Sequence, residues 1–403
     1  MPWLETDVRD QRIQFVITAR RPGANITAIC RAFGISRKTG YKWLQREAAA
    51  RSVAVLADRS RRPHHSPTRT DFATTTRVLE LREAFGWGGD KLAYLLAAEG
   101  VALAPRTIDR IIQREGLTRE RAVVGSAPNR FEHAAPNDLW QLDAKGPYPV
   151  QGGGRCHALS VIDDHSRFAI GLAALPTVAT VTVEPALRAC FEAYGVPHAM
   201  LMDHGSPWWS TSSHDGLTRL TVGLLKQGIR LIYGAIRHPQ TQGKVERFHR
   251  TLGEHLRWVG VPTTLGDFSR AFRRFREEYN HVRPHEALGM RPPADRFVPS
   301  RRAYRPSPPC WEYPSGTTVR RVQRNGMVHY NAALYYVSEA LHGEDVGCVP
   351  LADSDRVLVT YRHMIVREWR LRSRHSVALL QPIKNEWPAN APASTGHLVL
   401  PMS

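Results

Sequence analysis

Acid is scarce in this chain. Its 403 residues hold 37 Asp and Glu against 55 Lys and Arg, a formal net charge of +18 with a pI near 10.2. That balance suits a partner rich in phosphate, nucleic acid above all. Cysteine is sparse as well: Cys30, Cys156, Cys190, Cys310 and Cys348 stand far apart. Without a CxxC pair or a His/Cys cluster at zinc spacing they read as reduced core thiols, which excludes a disulfide scaffold and a zinc finger. No GxxxxGK[ST] loop is present, so nothing points to ATP. No run approaches the roughly 18 apolar residues of a membrane span, and MPWLETDVRD lacks the basic-then-apolar build of a signal peptide. The expectation is a cytosolic protein beside the genome, with no membrane partner.

What is present is enough apolar sequence, 42% of residues, to bury more than one core. Residues 1–50 show helical periodicity broken at Arg21-Pro22-Gly23, then Ala28, Ile29, Ala32 and Phe33 on one face, a turn at Gly34, Ile35 between helices and Ser36 as N-cap. This is helix-turn-helix spacing. The second helix carries Arg37, Lys38, Lys42 and Arg46 as major-groove cations, with Tyr41, Trp43 and Leu44 available for packing. Residues 51–69 form a basic linker whose Arg59, Arg61 and Arg62 suit either a minor groove or a solvated spacer.

Residues 70–120 repeat the helical pattern. Asp90 is a candidate cap, Pro105 opens the last helix, and Arg106, Arg110 and Arg114 face outward from Ile108, Ile111 and Ile112. The expectation is a second helix-turn-helix, winged or homeodomain-like, so that two small modules grip one extended DNA site. A linker spans 121–136.

From 137 to 300 the pattern becomes strand, strand, strand, then alternating helix and strand, which predicts an α/β sheet covered on both faces. Three carboxylates hold telling positions there. Asp143 ends the first strand, Asp203 ends the strand after the first long helix, and Glu246 opens the helix of HPQTQGKVERFHRTL. If the first and fourth strands are neighbours, the three converge at one sheet edge. Three anions repel unless cations intervene, and hard oxygen ligands favour Mg2+ or Mn2+. Two such ions about 4 Å apart suit in-line phosphoryl transfer, with Asp143 bridging both, Asp203 completing one site and Glu246 the other. Asp163 and Asp164 also sit at a strand end, but Ser166 and Arg167 beside them suggest turn and ion-pair partners. After 315 the pattern is short alternating strands around Asn325-Gly326, which predicts a small β-barrel over 315–372, a DNA contact or a packing module. Residues 373–403 show no periodicity and read as a tail.

The stretches LWQLDAKG, VIDDHSR, MDHGSP, HPQTQGKVERFHRTL and YNHVRPHEALGMRPP, taken together and in order, resemble bacterial insertion-sequence transposases with a DDE triad, of the retroviral-integrase superfamily. The resemblance covers residues 137–300. It implies a ribonuclease-H-like fold, a triad of Asp143, Asp203 and Glu246, a divalent metal, and Gln242 and Arg250 against DNA, with Lys244 counted among the same DNA-facing cations. Two departures stand out: an excess around Trp208–Asp215 between the second and third acids, and helix-turn-helix units where integrases carry a zinc module. The function implied is binding of the element's terminal inverted repeats, cleavage, and joining of 3′-OH ends to target DNA, by a homo-oligomer of at least two copies at the bacterial nucleoid. A catalytically inactive DNA-binding regulator and a nuclease that cuts without joining are the alternatives.

Overall fold

The computed structural model describes residues 7–50, 52–58, 69–118, 132–210, 216–234, 243–352 and 354–383. The chain divides into two compact units, 1–71 and 72–403.

The first unit is three helices, α1 (Val8–Ala19), α2 (Ile26–Ala32) and α3 (Arg37–Ala50). Asn25 caps α2 by accepting from Ala28 N at 3.2 Å. Ser36 caps α3 by accepting from Thr39 N at 3.1 Å, as expected. Between them Gly34 takes φ +64°, a left-handed turn open to glycine without strain. Phe15, Val16, Cys30, Trp43 and Leu56 form the core. Helices α2 and α3 can meet closely because residue 40 is glycine: a Cβ there would stand 2.5 Å from Cys30 Sγ and 2.9 Å from Phe15 Cζ. Gly40→Ala is therefore expected to destabilise this unit by about 1–3 kcal/mol through overpacking. A lower melting temperature and weaker DNA binding would show it; an unchanged melt would mean the two helices separate at no cost.

The second unit begins with α4 (Phe72–Phe85), α5 (Gly89–Ala98) and α6 (Pro105–Arg114) around Leu81, Trp87, Leu92, Leu96, Ile108 and Ile111. Asp90 is not the cap of α5. Asp109, reaching across from α6, accepts from Gly89 N at 2.9 Å instead.

A five-stranded sheet follows: β1 (Leu139–Val150), β2 (Gly154–Asp163), β3 (Ala169–Leu175), β4 (Ala199–Met202) and β5 (Arg230–Tyr233), in the order β3-β2-β1-β4-β5. The first three are antiparallel, and β4 and β5 run parallel to β1. Pleating sorts the strand residues onto two faces. Trp140, Leu142, Leu159 and Val161 share a core with Val183, Leu187 and Phe191 of α7 (Thr180–Tyr194), and with α8 (Arg219–Lys226). Ala158 and Ile162 face Val245, Phe248 and Leu252 of α9 (Gly243–Val259) and Phe268, Phe272 and Phe275 of α10 (Leu265–His281). The expected mixed sheet with helices on both faces is what forms. Asn280 pins α10 to the sheet, accepting from Ala169 N at 2.8 Å and donating to Ala169 O at 3.1 Å.

The α4–α6 module is docked on this core. Trp258 Nε1 of α9 donates to Glu83 O at 2.8 Å, the Arg82 guanidinium lies 5.1 Å over the Trp258 ring, Lys91 pairs with Glu286 at 3.2 Å, and Val282 joins the module's apolar cluster.

The C-terminal part departs from the expected barrel. Strands β6 (Thr318–Arg321), β9 (Asp345–Pro350), β10 (Arg356–Tyr361), β11 (Met364–Arg370) and β12 (His375–Pro382) make a sheet in the order β12-β11-β10-β9-β6. Strands β7 (Met327–Tyr330) and β8 (Ala333–Tyr336) form a separate ribbon. No pairing among the described residues closes β12 onto β6. The chain turns at Asn325-Gly326, where Gly326 N donates to Gln323 O at 3.0 Å and Gln323 N to Met327 O at 2.8 Å; the hairpin of β7 and β8 turns at Asn331 and Ala332, both at positive φ. Residues 375–382, expected in the tail, are β12. Among the described residues no helix is long and apolar enough to cross a membrane.

Candidate active site

Register brings the first two carboxylates together. β1 and β4 pair Leu139 with Ala199, Trp140 with Met200 and Gln141 with Leu201. Asp143 and Asp203 each follow two residues beyond the last of these pairs, and the charge of Asp203 acts on the Asp143 carboxyl. Because Leu142 faces α7, Asp143 faces α9, and so does its antiparallel partner Ser160. Helix α9 lies across this face: Val245 N donates to Gln141 Oε1 at 3.3 Å, His249 Nδ1 stands 3.4 Å from Asp143 Oδ2, and Glu246 sits in the helix's first turn.

The three acids share one electrostatic field. Burial pushes the Asp143 carboxyl above its usual range; the Ala144 N–H, donating at 2.8 Å, and Lys145 pull it back, while the charges of Asp203 and Glu246 push it further up. Asp203 and Glu246 are exposed. Asp203 Oδ1 accepts from Gly205 N at 3.0 Å and from Trp208 Nε1, so buried Trp208, read from sequence as part of an excess, orients this acid. Residues 211–215 of that stretch lie outside the described residues.

Three carboxylates in one field fit a hard divalent cation in donor chemistry. Among the described residues no three such side chains are gathered closely enough to hold an ion.

A buried polar network fixes the start of α9. Asp164, fully buried, accepts from His133 N at 2.9 Å, Gln141 Nε2 at 2.8 Å and Lys244 Nζ at 2.6 Å. Its neighbour Asp163 accepts from Asn137 N at 2.7 Å and from Ser166 N and Oγ at 2.8 and 2.6 Å. Both acids are thus structural, as their surroundings in sequence suggested, although Arg167 pairs with Glu132 at 2.8 Å rather than with either. Glu132 and His133, placed by sequence in the 121–136 linker, belong to this network; residues 121–131 lie outside the described ones.

Lys244 is a correction. Read as a DNA contact, it is only 16% exposed and its ammonium is committed to Asp164. Burial raises the Asp164 carboxyl, but Lys244 and His133 more than offset it and hold it below the usual range. Stability from this pair is therefore present above the ordinary carboxylate range and lost as pH falls through the depressed value. Lys244→Met should cost about 3 kcal/mol near neutral pH, since it strands a buried charge. The deficit should shrink toward pH 4, where Asp164 without its partner takes up a proton. A denaturant titration at both pH values checks this, and a deficit that is the same at each would refute the pairing.

Of the other residues singled out, Arg37, Lys38 and Lys42 lie exposed along one face of α3 together with Gln45 and Tyr41, and Tyr41 is 51% exposed rather than packed. Arg46 is half-buried, its guanidinium 5.1 Å over the Trp43 ring. Arg106 and Arg110 are exposed on α6, and Arg250 on α9. Arg59, Arg61, Arg62 and Gln242 lie outside the described residues. Sequence reasoning missed Gln141, Ser160 and His249; strand alternation from Asp143 and the three-residue helical step from Glu246 were the signals for the first and last.

Comparison with known proteins agrees with this architecture. Residues 133–239 and 227–293 each match a family described as an integrase core domain, and residues 11–64 match a helix-turn-helix domain. An uncharacterized 31.7 kDa protein of insertion element IS407 from Burkholderia multivorans is 26% identical over 259 residues, spanning 61% of this chain and 88% of that protein. An uncharacterized 39.2 kDa protein of insertion element IS476 from Xanthomonas euvesicatoria is 26% identical over 276 residues, 64% of this chain and 74% of the relative. Among solved structures, the HTLV-2 integrase catalytic core domain in complex with magnesium overlaps 40% of this chain and 97% of its own at 14% identity and TM-score 0.31. A simian T-cell lymphotropic virus intasome with PP2A regulatory subunit B56 gamma overlaps 71% and 96% at 13% identity and TM-score 0.35.

Proposed function

A chain with an integrase core behind a helix-turn-helix domain, akin to insertion-element proteins, belongs to the DDE transposase and integrase superfamily, and on that premise we propose that it cuts the ends of its own mobile element and joins them to target DNA. The observation that supports the proposal is that β1 and β4 are paired neighbours whose ladder ends two residues before Asp143 and Asp203, and that the charges of Asp203 and of Glu246, in the first turn of α9, both act on the Asp143 carboxyl. These three residues would hold Mg2+ or Mn2+, two ions per site. When bound, the ions supply Lewis-acid polarisation of a phosphodiester.

The chain's own residues do the rest. Arg37, Lys38 and Lys42 on α3 present cations to a major groove and select the terminal repeats, while Arg106 and Arg110 on α6 add a second contact. Helix α9 delivers Glu246 and, one turn on, Arg250, whose guanidinium can fork onto a phosphate of the bound end. Gln242 precedes the same helix and its amide can both donate and accept. Hydrolysis at an end leaves a 3′ hydroxyl; attack of that oxygen on a target phosphodiester forms one P–O bond as another breaks, so the exchange needs neither ATP nor a covalent enzyme intermediate. Two ends must be joined at one place, which requires at least a dimer.

Labelled element ends incubated with the protein, Mg2+ and target duplex test the reading. Cleavage followed by joining is expected; cleavage alone would make the protein a nuclease, and no product a regulator. In the same assay Arg250→Ala and Gln242→Ala should slow single-turnover cleavage on the order of 100-fold, because small misplacements beside reacting atoms are that costly, with end affinity nearly unchanged. Wild-type rates would return both residues to the plain surface.

A further inference from the structure

Two buried polar side chains beside Asp143 have no part in the reading above. His249 is 4% exposed and Ser160 is fully buried. His249 Nε2 lies 2.9 Å from Ser160 Oγ, and His249 Nδ1 lies 3.4 Å from Asp143 Oδ2. Neither arrangement is incidental to the fold: β1 and β2 pair Asp143 directly with Ser160, and α9 carries His249 three residues after Glu246. The helix and the sheet thus meet at one imidazole.

His249 Nε2 and Ser160 Oγ are within hydrogen-bond distance, while Nδ1 meets the Asp143 carboxylate at ion-pair range. An ionised carboxylate only accepts, so the tautomer that suits this arrangement carries its proton on Nδ1 and accepts from the Ser160 hydroxyl at Nε2. We propose that His249, held by Ser160, is a positioning residue that fixes the Asp143 carboxylate for cation binding. Partners that hold a ligating carboxylate in place are typically worth about 10–100-fold in metal affinity. Seating His249 against Ser160 also sets the rotation of α9, and with it the place of Glu246 one turn earlier. The proposal rests on Asp143 being a ligand, and it goes further by naming what aims that ligand.

The test is Mn2+ titrated against thermal unfolding of the full chain, with single-turnover cleavage and end affinity measured alongside. His249→Leu should need about 10–100 times more Mn2+ for a half-maximal shift. His249→Asn, whose amide N–H can stand where Nδ1–H stood, should recover most of that loss, and Ser160→Ala should fall between the two. Cleavage rates at fixed Mg2+ should follow the same order at constant end affinity. A wild-type Mn2+ midpoint in His249→Leu would overturn the proposal, as would equal impairment of the Leu and Asn variants, because packing alone would then account for the site. If His249→Leu fails to fold, Ser160→Ala decides, and a wild-type midpoint there overturns it. Asp143→Asn with a wild-type midpoint would instead overturn the reading of Asp143 itself, and this proposal with it.

Discussion

Asp143→Asn is expected to stop cleavage of element ends while leaving end binding near wild-type. The substitution keeps the shape of the side chain and removes one negative charge from a site proposed to hold cations against phosphate. A loss of about 4 kcal/mol of transition-state stabilisation, within the range a positioned metal supplies, corresponds to about 10³-fold in rate. The fold should not suffer. Burial and the charges of Asp203 and Glu246 push the Asp143 carboxyl up, so its ionisation opposes folding, and that cost builds as pH rises from the ordinary carboxylate range and is complete above the raised value. The amide that replaces it carries no charge, so at neutral pH the variant should melt at or above the wild-type temperature. An inactive variant that melts no lower than wild type separates lost chemistry from lost structure. Asp203→Asn and Glu246→Gln should behave alike in cleavage, and full activity in any of the three would remove that residue from the site.

Deleting residues 1–71 should abolish selective binding of element ends and leave a weak affinity that falls steeply with salt, because cationic surfaces bind phosphate without reading bases. The remaining chain should fold, since the cut falls between the two compact units. Deleting residues 1–118 should do more. It strips α4–α6 from the catalytic part, removing the Lys91–Glu286 pair, the Trp258 hydrogen bond to Glu83 and the cover over Val282. A cost of about 2 kcal/mol is reasonable for one exposed ion pair, one cation–π contact and a small apolar patch, or about 4–8 °C in melting temperature for a domain of this size. End discrimination that survives the shorter deletion would move sequence recognition to α6. Equal melting temperatures for the two truncations would mean the docking contributes nothing.

This second experiment also marks a limit of sequence reasoning. The two helical modules look alike as periodic patterns, and nothing in residues 70–120 announces that one of them is docked. What docks it are single residues some 170 to 200 positions away, Trp258, Val282 and Glu286, each unremarkable in its own segment. The same holds at the C-terminus. Alternation from 319 to 371 shows that strands form, but whether a sheet closes depends on which edges pair, and pairing is invisible in a hydropathy pattern. Strand β12 escaped notice because its half-buried residues, His375–Pro382, carry a weak alternation that becomes a strand only beside β11.

The sequence by itself determined the chemistry available: a cationic chain with no zinc cluster and no phosphate loop, a helix-turn-helix over its first fifty residues, and three carboxylates at the ends of regular elements. Those are local facts, written in charge, spacing and caps. Only the tertiary structure decided which of these residues can act together. Neighbouring positions for β1 and β4 bring the strand ends that carry Asp143 and Asp203 together, because register is a property of two strands and of neither alone. The packing of α9 turned Lys244 inward to Asp164, where a buried carboxylate demands a cation. The same packing brought His249 from a basic-looking helix to the space between Ser160 and Asp143, since a polar side chain carried into a core must take its partners from whatever the opposite element presents.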